Sequence, residues 1–236
     1  VLAALPVKDL LNAKQRLMPA LAPDERRDLA AAMLEDVLDA LDAVNDVAVH
    51  LVTKDLEALA LASRRGTRCL TESANRGHTE AVALGQRVAA ERGFARFLTI
   101  PGDVPCASAA EVRALLAALG GSPGAAFVPS LSGFGTNAAL LAPPDAMPLK
   151  FGEPSFANHL DAARARGLVP TVLELPGIGL DVDAPEDLHL LLARGPAVVE
   201  TARQHAGAEM DVAADLHVVE HAHAAEERDV LEGTGD

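Results

Sequence analysis

The sequence predicts an α/β domain, a three-layer sandwich whose mostly parallel sheet is covered by helices on both faces. Apolar runs of strand length alternate with longer segments in which Ala and Leu recur every three or four residues, as expected of βαβ units. The chain has 236 residues, 50% of them hydrophobic, so it is long enough for one sizeable core or two small ones. A single domain is the simpler expectation.

Each predicted strand is an apolar run bounded by turn residues. In chain order the runs are VLAALPV, VAVHLVT, TRCLT, FARFLTI, GAAFVPS, NAALLAP and LVPTVLEL. Helices are predicted between them at residues 24–41, 55–65, 79–92, 108–119 and 155–166. From Gln204 the periodicity is lost among acidic and small residues. We therefore expect one domain over residues 1–205 and a flexible acidic tail over residues 206–236.

Composition argues against several classes of partner. The formal net charge of -14 repels a phosphate backbone, and the absence of Trp and Tyr leaves few surfaces on which bases can stack, so no nucleic-acid partner is expected. Cys69 and Cys106 lie far apart without the spacing of paired metal ligands, which indicates a reducing compartment. The opening VLAALPV is too short to span a bilayer. A cytoplasmic protein with no membrane contact is expected.

Charged side chains follow three of the predicted strands. Ligands of such sheets bind beyond the carboxyl ends of the strands, so these loops are considered together. The loop after the first strand carries Lys8, Lys14 and Arg16. Asp103 follows the strand FARFLTI. The segment PGIGLDVDAPEDL, after the last strand, adds two more carboxylates, those of Asp181 and Asp183.

This mixture of cations and carboxylates has a chemical logic. Carboxylates beside an anionic ligand are favourable mainly through a hard divalent cation, and Mg²⁺ typically takes one or two carboxylates together with phosphate oxygens and waters. Lysines in the same place neutralise the outer phosphates. The loops therefore indicate a site for a phosphorylated ligand and Mg²⁺.

Most of these residues also have a purely structural interpretation. Asp103 lies among turn residues and is equally explained as part of a turn. Asp183 begins the pattern Asp-Ala-Pro-Glu before an apolar segment, which favours a helix cap over a metal ligand. Asp181 has no such alternative, and on an extended stretch it projects to the same side as Asp183. Lys8 and Lys14 are equally compatible with a solvated loop.

Two motifs carry little weight. GFGTNA, from Gly133, matches a dinucleotide-binding pattern, but it leads into a strand-like run where such a site needs a helix. HVVEH, from His217, matches a zinc-protease pattern, but it lies in the polar tail without enough chain around it to enclose a catalytic zinc.

Six segments, taken in order, resemble a known family. They are ALPVKDLLNAKQRL, APDERRDLAAAMLEDVLDAL, TIPGDVP, GTNAALLAPP, FGEPSFANH and PGIGLDVDAPEDL. The series resembles the 2-phospho-L-lactate guanylyltransferase family of coenzyme F-420 biosynthesis, which includes phosphoenolpyruvate and 3-phosphoglycerate guanylyltransferases. The resemblance implies a mixed, mostly parallel sheet in the MobA-like nucleotide-diphospho-sugar transferase (GT-A-like) fold. The implied reaction joins GMP from GTP to a phosphorylated C3 acid and releases pyrophosphate.

The resemblance also assigns roles to the charged loops. Asp103 corresponds to the family's metal-binding Asp, and the stretch LDVD supplies a second ligand of the implied Mg²⁺, with Asp181 favoured and Asp183 left open. The loop that embraces the nucleotide triphosphate is matched by Lys8, Lys14 and Arg16. An acceptor phosphate is already ionised near neutral pH, so alignment and charge neutralisation suffice without a general base.

The resemblance also assigns residues to the acceptor. Positions that line the acceptor phosphoacid are matched by Thr136, Gly152 and Ser155. Many relatives read G-L-N-A-A where this chain has GHTEA from Gly77, which leaves the acceptor and the recognition of the base open. The implied partners are GTP and a small phosphoacid, a homodimer is one expected assembly, and the product would pass to the next enzyme of the deazaflavin coenzyme pathway.

Two other classes of protein remain open on the sequence alone. A Mg²⁺-dependent sugar-nucleotide glycosyltransferase would use similar paired carboxylates but a sugar acceptor. A non-catalytic nucleotide-binding protein would keep the fold and show no turnover.

Overall fold

Seven β-strands form one sheet in the computed structural model, which describes residues 1–71 and 76–193. The strands are β1 (Leu2–Pro6), β2 (Ala48–Thr53), β3 (Arg68–Thr71), β4 (Phe97–Thr99), β5 (Gly124–Pro129), β6 (Thr136–Ala142) and β7 (Thr171–Val172). Each apolar run that was predicted as a strand supplies one of them, so all seven predictions are confirmed.

The helices alternate with these strands. They are α1 (Pro23–Asp42), α2 (Leu56–Arg65), α3 (His78–Glu91), α4 (Ala109–Ala117), α5 (Ser155–Arg164), α6 (Pro176–Gly179) and α7 (Pro185–Ala193), with a one-turn 3₁₀ helix at Gln15–Leu17. The five predicted helices match α1 to α5 to within two residues at every end. Their starts follow ordinary capping chemistry: the Asp55 carboxylate accepts the Ala58 N–H at 2.8 Å, and Ser108 and Glu111 form a capping box.

The sheet is mixed and mostly parallel, as predicted. Its strand order is β3-β2-β1-β4-β6-β5-β7, and only β6 runs against its neighbours, pairing antiparallel with both β4 and β5. The other neighbouring pairs are parallel. Because β6 is reversed, its first residue, Thr136, lies at the same edge of the sheet as the last residues of the parallel strands.

Two strands are shorter than their apolar runs. Strand β4 covers only Phe97–Thr99, because it pairs with β1 only from Leu2 to Ala4. Strand β7 pairs with β5 only over Thr171–Val172. It is an edge strand, and Pro170, immediately before it, has no N–H to extend the ladder.

The core is divided between the two faces of the sheet, because alternate residues of a strand point to opposite sides. On one face Ala3 and Leu5 pack with residues of α1, α2 and α4. On the other face Leu2 and Ala4 pack with residues of α3 and α5. The predicted three-layer sandwich is therefore confirmed.

Helix α3 approaches β1 closely enough to require a glycine. A Cβ built on Gly85 would lie 2.6 Å from the Cβ of Ala4, a distance that real Cβ atoms do not adopt. This packing fixes α3 against the central strand. Its first residue, His78, is thereby held at the functional edge of the sheet.

The predicted boundary at residue 205, the tail and the HVVEH motif lie outside the described residues. No helix within the described part of the chain is long and apolar enough to cross a membrane. Neither Cys69 nor Cys106 forms a disulfide within the described part of the chain.

Candidate active site

A pocket of about 410 Å³ opens where β1 and β4 end. The loops after these two strands form much of its wall, together with α1, the start of α3 and the segment before α7. Side chains that line it include Lys8, Asn12, Lys14, His78, Asp103 and Asp183. The structure thus brings together residues from loops that the sequence analysis had grouped.

Lys14 lies at the centre of the charged cluster. Its Nζ donates hydrogen bonds to Asp103 Oδ2 and to Asp183 Oδ1, each at 2.7 Å, and only 6% of its side chain is exposed. Burial by itself lowers the pKa of Lys14, but the charges and hydrogen bonds of the two carboxylates outweigh it and raise the pKa above the usual lysine value. Lys14 is therefore a fixed positive charge.

The backbone of Lys14 is also unusual. Its φ of 54° and ψ of 44° are left-handed, a conformation that non-glycine residues seldom adopt, and it directly precedes the 3₁₀ helix. Leu17, in that turn, packs with Met33 of α1, with Val182 before α7 and with Leu188 in α7. This small apolar cluster anchors the turn, so the Lys14 side chain is directed into the pocket.

The two carboxylate segments are joined through their backbones. The Val182 N–H donates to the carbonyl of Asp103 at 3.1 Å, which aligns residues 181–183 beside the end of β4. Residues on either side of Val182 therefore face the same region as Asp103. The convergence of Asp103, Asp181 and Asp183 that the sequence predicted follows from this bond.

Asp181 is oriented by a residue that sequence reasoning missed. The buried Asn137 side chain, on β6, donates from Nδ2 to Asp181 Oδ1 at 3.0 Å and to the carbonyls of Ile178 and Gly179. Burial raises the pKa of the Asp181 carboxyl, the Asn137 bond offsets part of this, and the nearby charges of Asp103 and Asp183 add to it. The only sequence signal for Asn137 is a polar residue in an otherwise apolar strand.

The helix-cap interpretation of Asp183 is wrong. Its carboxylate accepts a hydrogen bond from Lys14, and no capping bond to its side chain is found among the described residues. Helix α7 begins at Pro185, one residue later than the predicted pattern required. The capping carboxylate is that of Asp187, whose Oδ2 accepts the N–H groups of Asp183 and Ala184 at 3.0 and 2.8 Å. The Asp183 side chain therefore lines the pocket and does not cap the helix.

The other two cations of the first loop are placed differently from Lys14. Lys8 is exposed and lines the pocket. Arg16 lies on the 3₁₀ turn, is also exposed, and is not among the residues that line this pocket. Of the three predicted cations, Lys8 and Lys14 are brought together with the carboxylates and Arg16 is not.

Thr136 and Ser155 meet at a second, buried polar group. Ser155 Oγ donates to Thr136 Oγ1 at 3.3 Å, and Thr136 Oγ1 lies 2.9 Å from His159 Nδ1. The Lys150 N–H donates to His159 Nε2 at 3.0 Å, so in the neutral imidazole the proton is on Nδ1. Burial lowers the pKa of His159 to about 4, which keeps the ring neutral.

This network leaves one hydrogen available. The Thr136 oxygen accepts from both Ser155 and His159, so its own O–H hydrogen can be donated elsewhere. His159 lies within the FGEPSFANH motif, but the sequence does not predict it as a site residue. Gly152, by contrast, is exposed with a φ of 114°, and a Cβ built there meets no atom within 4 Å. Its backbone conformation, rather than crowding within the protein, is what requires glycine.

The donor chemistry at Asp103 and its neighbours fits a divalent cation. The carboxylates of Asp103 and Asp183 already share one positive charge, the Lys14 ammonium. Asp181 lies near enough for the negative charges of both to raise its pKa. Among residues 1–71 and 76–193, no three His, Cys, Asp or Glu side chains are grouped closely enough to hold a metal ion. Mg²⁺ commonly takes only one or two carboxylates and completes its shell with phosphate oxygens and water.

The GFGTNA motif does not form a dinucleotide site. Gly133 lies in the turn between β5 and β6, and Gly135 leads directly into a strand. A phosphate site of that kind needs a helix N-terminus at this point.

Solved structures with the same architecture share this fold at low sequence identity. A Desulfovibrio desulfuricans protein assigned to the nucleotide-diphospho-sugar transferases superposes with a TM-score of 0.70 at 17% identity, covering 96% of each chain. A cytidylyltransferase from Leptospira borgpetersenii superposes with a TM-score of 0.55 at 11% identity, covering 100% of this chain and 98% of that one. The fold is therefore that of the nucleotide-diphospho-sugar transferases and cytidylyltransferases.

The family follows from sequence. Residues 1–204 match the family described as "Guanylyl transferase CofC like", and the chain belongs to that family of nucleotidyltransferases. A phosphoenolpyruvate guanylyltransferase from Sphaerobacter thermophilus is 43% identical over 83% of this chain and 94% of its own length. A 3-phospho-D-glycerate guanylyltransferase from Phenylobacterium zucineum is 38% identical over 85% and 93%. A 2-phospho-L-lactate guanylyltransferase from Methanothermobacter thermautotrophicus is 35% identical over 82% and 84%.

Proposed function

We propose that this chain transfers GMP from GTP to phosphoenolpyruvate, with release of pyrophosphate, as a step of coenzyme F-420 biosynthesis. The observation that carries the proposal is the buried Lys14 ammonium between Asp103 and Asp183, in a pocket of a guanylyltransferase-family chain. A phosphorylated ligand needs both the fixed positive charge and the oxygen ligands that this arrangement offers.

The triphosphate belongs beside the first loop. Lys8 and Lys14 place two ammonium groups on the same pocket, and the leaving pyrophosphate gains negative charge as the bond to the α-phosphorus breaks. Arg16, on the exposed turn next to Lys14, is proposed to reach the outer phosphates once GTP is bound. These residues act by neutralising charge in the transition state.

The acceptor belongs beside the start of β6 and of α5. Thr136 offers its unused O–H hydrogen to the acceptor, and the Ser155 and His159 contacts hold that hydroxyl in place. Gly152 lies three residues before Ser155 on an exposed, open turn, where an anion can approach the backbone closely. The acceptor phosphate attacks the α-phosphorus of GTP through one of its own ionised oxygens, so none of these side chains has to remove a proton.

The proposed Mg²⁺ is held by two carboxylates, that of Asp103 and that of Asp181, with Asp183 as the alternative second ligand. When bound, the metal withdraws charge from the phosphate oxygens. Within the chain itself, Asn137 orients Asp181 and the bond between Val182 and Asp103 aligns the two segments, so the carboxylates need little rearrangement.

The choice of acceptor rests on the relatives. The Sphaerobacter thermophilus and Rubrobacter xylanophilus enzymes, at 43% and 40% identity, are both named phosphoenolpyruvate guanylyltransferases. The 3-phospho-D-glycerate enzyme, at 38%, makes that acid the second candidate acceptor.

A pyrophosphate-release screen tests the proposal. The four common nucleoside triphosphates are each paired with phosphoenolpyruvate, 3-phosphoglycerate and 2-phospho-L-lactate in the presence of Mg²⁺. We expect release with GTP and phosphoenolpyruvate to exceed every other pair. No release with any of the three acids, or greater release when a sugar phosphate replaces the acid, would refute the proposed acceptor class.

A further inference from the structure

His78 is a pocket residue to which neither the family resemblance nor the mechanism above gives a role. It is the first residue of α3, it is partly buried, and its side chain lines the pocket with Lys8, Lys14 and Asp103. No hydrogen bond joins its imidazole to another residue of the described ranges 1–71 and 76–193. A polar ring that faces this charged pocket is a candidate ligand contact.

The ring also touches the acceptor side of the site. The His78 and Phe151 rings are in edge contact, with centroids 4.4 Å apart and planes at 63°. The next residue of α3, Thr79, accepts the Phe151 N–H on its Oγ1 at 3.0 Å, which fixes this segment against the helix. Phe151 immediately precedes Gly152, so His78 stands between the charged pocket and the proposed acceptor segment.

The protonation state of the ring suits hydrogen bonding rather than ion pairing. Burial lowers the pKa of His78 to about 4; the Asp103 charge opposes this and the Lys8 charge adds to it. At neutral pH the imidazole is therefore uncharged and carries one N–H donor and one acceptor nitrogen.

We propose that the His78 imidazole is a specificity-determining contact that donates a hydrogen bond to the phosphoacid acceptor. The proposal rests on the proposed function, since it assumes that a phosphoacid occupies the space between Asp103 and Phe151. The edge contact of the His78 ring with Phe151, the residue before Gly152, is the observation that favours the acceptor over the triphosphate.

Steady-state kinetics of three variants test this. His78→Leu removes the donor and keeps apolar bulk against Phe151. His78→Gln keeps a donor at similar reach. His189→Gln, at an exposed position on α7 away from the pocket, is the matched control. His78→Leu loses a hydrogen bond to a charged oxygen. We therefore expect its KM for phosphoenolpyruvate to rise by roughly tenfold to hundredfold.

The other expected results separate this role from a structural one. The KM for GTP should change by less than about threefold, and His78→Gln should recover most of the affinity for the acid, because it keeps the donor. Calorimetric titration of phosphoenolpyruvate, with a GTP analogue methylene-bridged between the α- and β-phosphates, should show the same loss of acid affinity without turnover. If His78→Leu does not fold, His78→Ala replaces it.

Three outcomes would overturn the inference. The first is an unchanged KM for every acid in folded His78→Leu. The second is a rise in the KM for GTP alone, which would assign His78 to the nucleotide. The third is an equal loss in His78→Leu and His78→Gln, which would indicate packing. A separate failure, with no pyrophosphate released by the unmodified enzyme from GTP and any of the three acids, would instead refute the proposed function.

Discussion

Lys14 Nζ and Asp183 Oδ1 lie 2.7 Å apart although 169 positions separate the two residues in the sequence. The same ammonium bonds Asp103 at 2.7 Å, so one buried lysine joins the first loop of the chain to the loop after the central strand and to the segment before α7. Because two carboxylates share a single cation, the cluster keeps a net negative charge that attracts a further cation. This arrangement underlies the predictions below.

Replacing Lys14 should damage both the fold and the reaction. Lys14→Met keeps the length of the side chain but leaves Asp103 and Asp183 facing each other without a cation. We expect turnover to fall by about a hundredfold or more, since a pre-positioned charge beside the departing phosphates is lost. Lys54→Met, at an exposed lysine just after β2, should be nearly normal in rate and melting temperature. Equal behaviour of the two variants would contradict the role given to Lys14.

Asp103→Asn tests the proposed metal ligand. The change is nearly isosteric, so the fold should persist, while turnover in Mg²⁺ should fall by about a thousandfold, roughly 4 kcal/mol of transition-state stabilisation. Asp181→Asn should behave in the same way. The control is Asp161→Asn on α5, where 77% of the side chain is exposed. A near-normal rate for Asp103→Asn in Mg²⁺ would remove this residue from the site.

Asn137→Ala should separate positioning from stability. The substitution leaves the carbonyls of Ile178 and Gly179 without their donor, at a cost of about 1–3 kcal/mol, and frees Asp181. The control is Gln86→Ala, because the buried Gln86 amide also bonds two backbone carbonyls, those of Pro144 and Met147, outside the site. Both variants should lose stability in denaturant titrations, but only Asn137→Ala should lose kcat, by about tenfold. If the two variants had a similar kcat, Asn137 would contribute to the stability of the fold and not to catalysis.

Several of these residues were predictable from sequence and others were not. The convergence of Lys14 and Asp103 was predictable, because the carboxyl ends of the neighbouring parallel strands β1 and β4 meet at one edge of the sheet, whereas Asp183 is brought there by the bond between Val182 and Asp103. Asn137 and His159 were not, since a buried polar side chain inside an apolar segment has the same local pattern whether it orients a ligand group or merely satisfies the core.

One error has a local cause. The spacing from Asp183 to Glu186 fits a capping box, but the helix starts one residue later and Asp187 provides the cap. Arg16 shares its loop with Lys14 and lies on the exposed 3₁₀ turn that follows it, outside the residues that line the pocket, so its role towards GTP stays a prediction.

Asp36 on α1 should weaken the fold at neutral and alkaline pH. Burial, together with the charges of Asp39 and Glu35, raises the pKa of this carboxyl to about 7. Its folded pKa lies above the unfolded value, so the folded state binds more protons between about pH 4 and pH 7, and stability falls as the pH rises through that range. Asp36→Asn removes the free-energy cost of ionising this buried carboxyl and should stabilise the protein at pH 8 by about 1–2 kcal/mol.

Denaturant titrations at two pH values check this prediction. The gain from Asp36→Asn should be present at pH 8 and much reduced at pH 5, where the native carboxyl is largely protonated. Asp161→Asn, at an exposed position, should show no such difference. A gain of equal size at both pH values would mean that charge is not the cause.

Mass spectrometry of the reaction products tests the central claim most directly. GTP is incubated with phosphoenolpyruvate carrying ¹⁸O in its non-bridging phosphate oxygens, with Mg²⁺ and the unmodified enzyme. If the acceptor phosphate attacks the α-phosphorus, the product is a GMP–phosphoenolpyruvate conjugate that retains all of the label, and the pyrophosphate contains none. Conversion of GTP to GDP and phosphate, labelled pyrophosphate, or the absence of any conjugate with all three candidate acids would contradict the account.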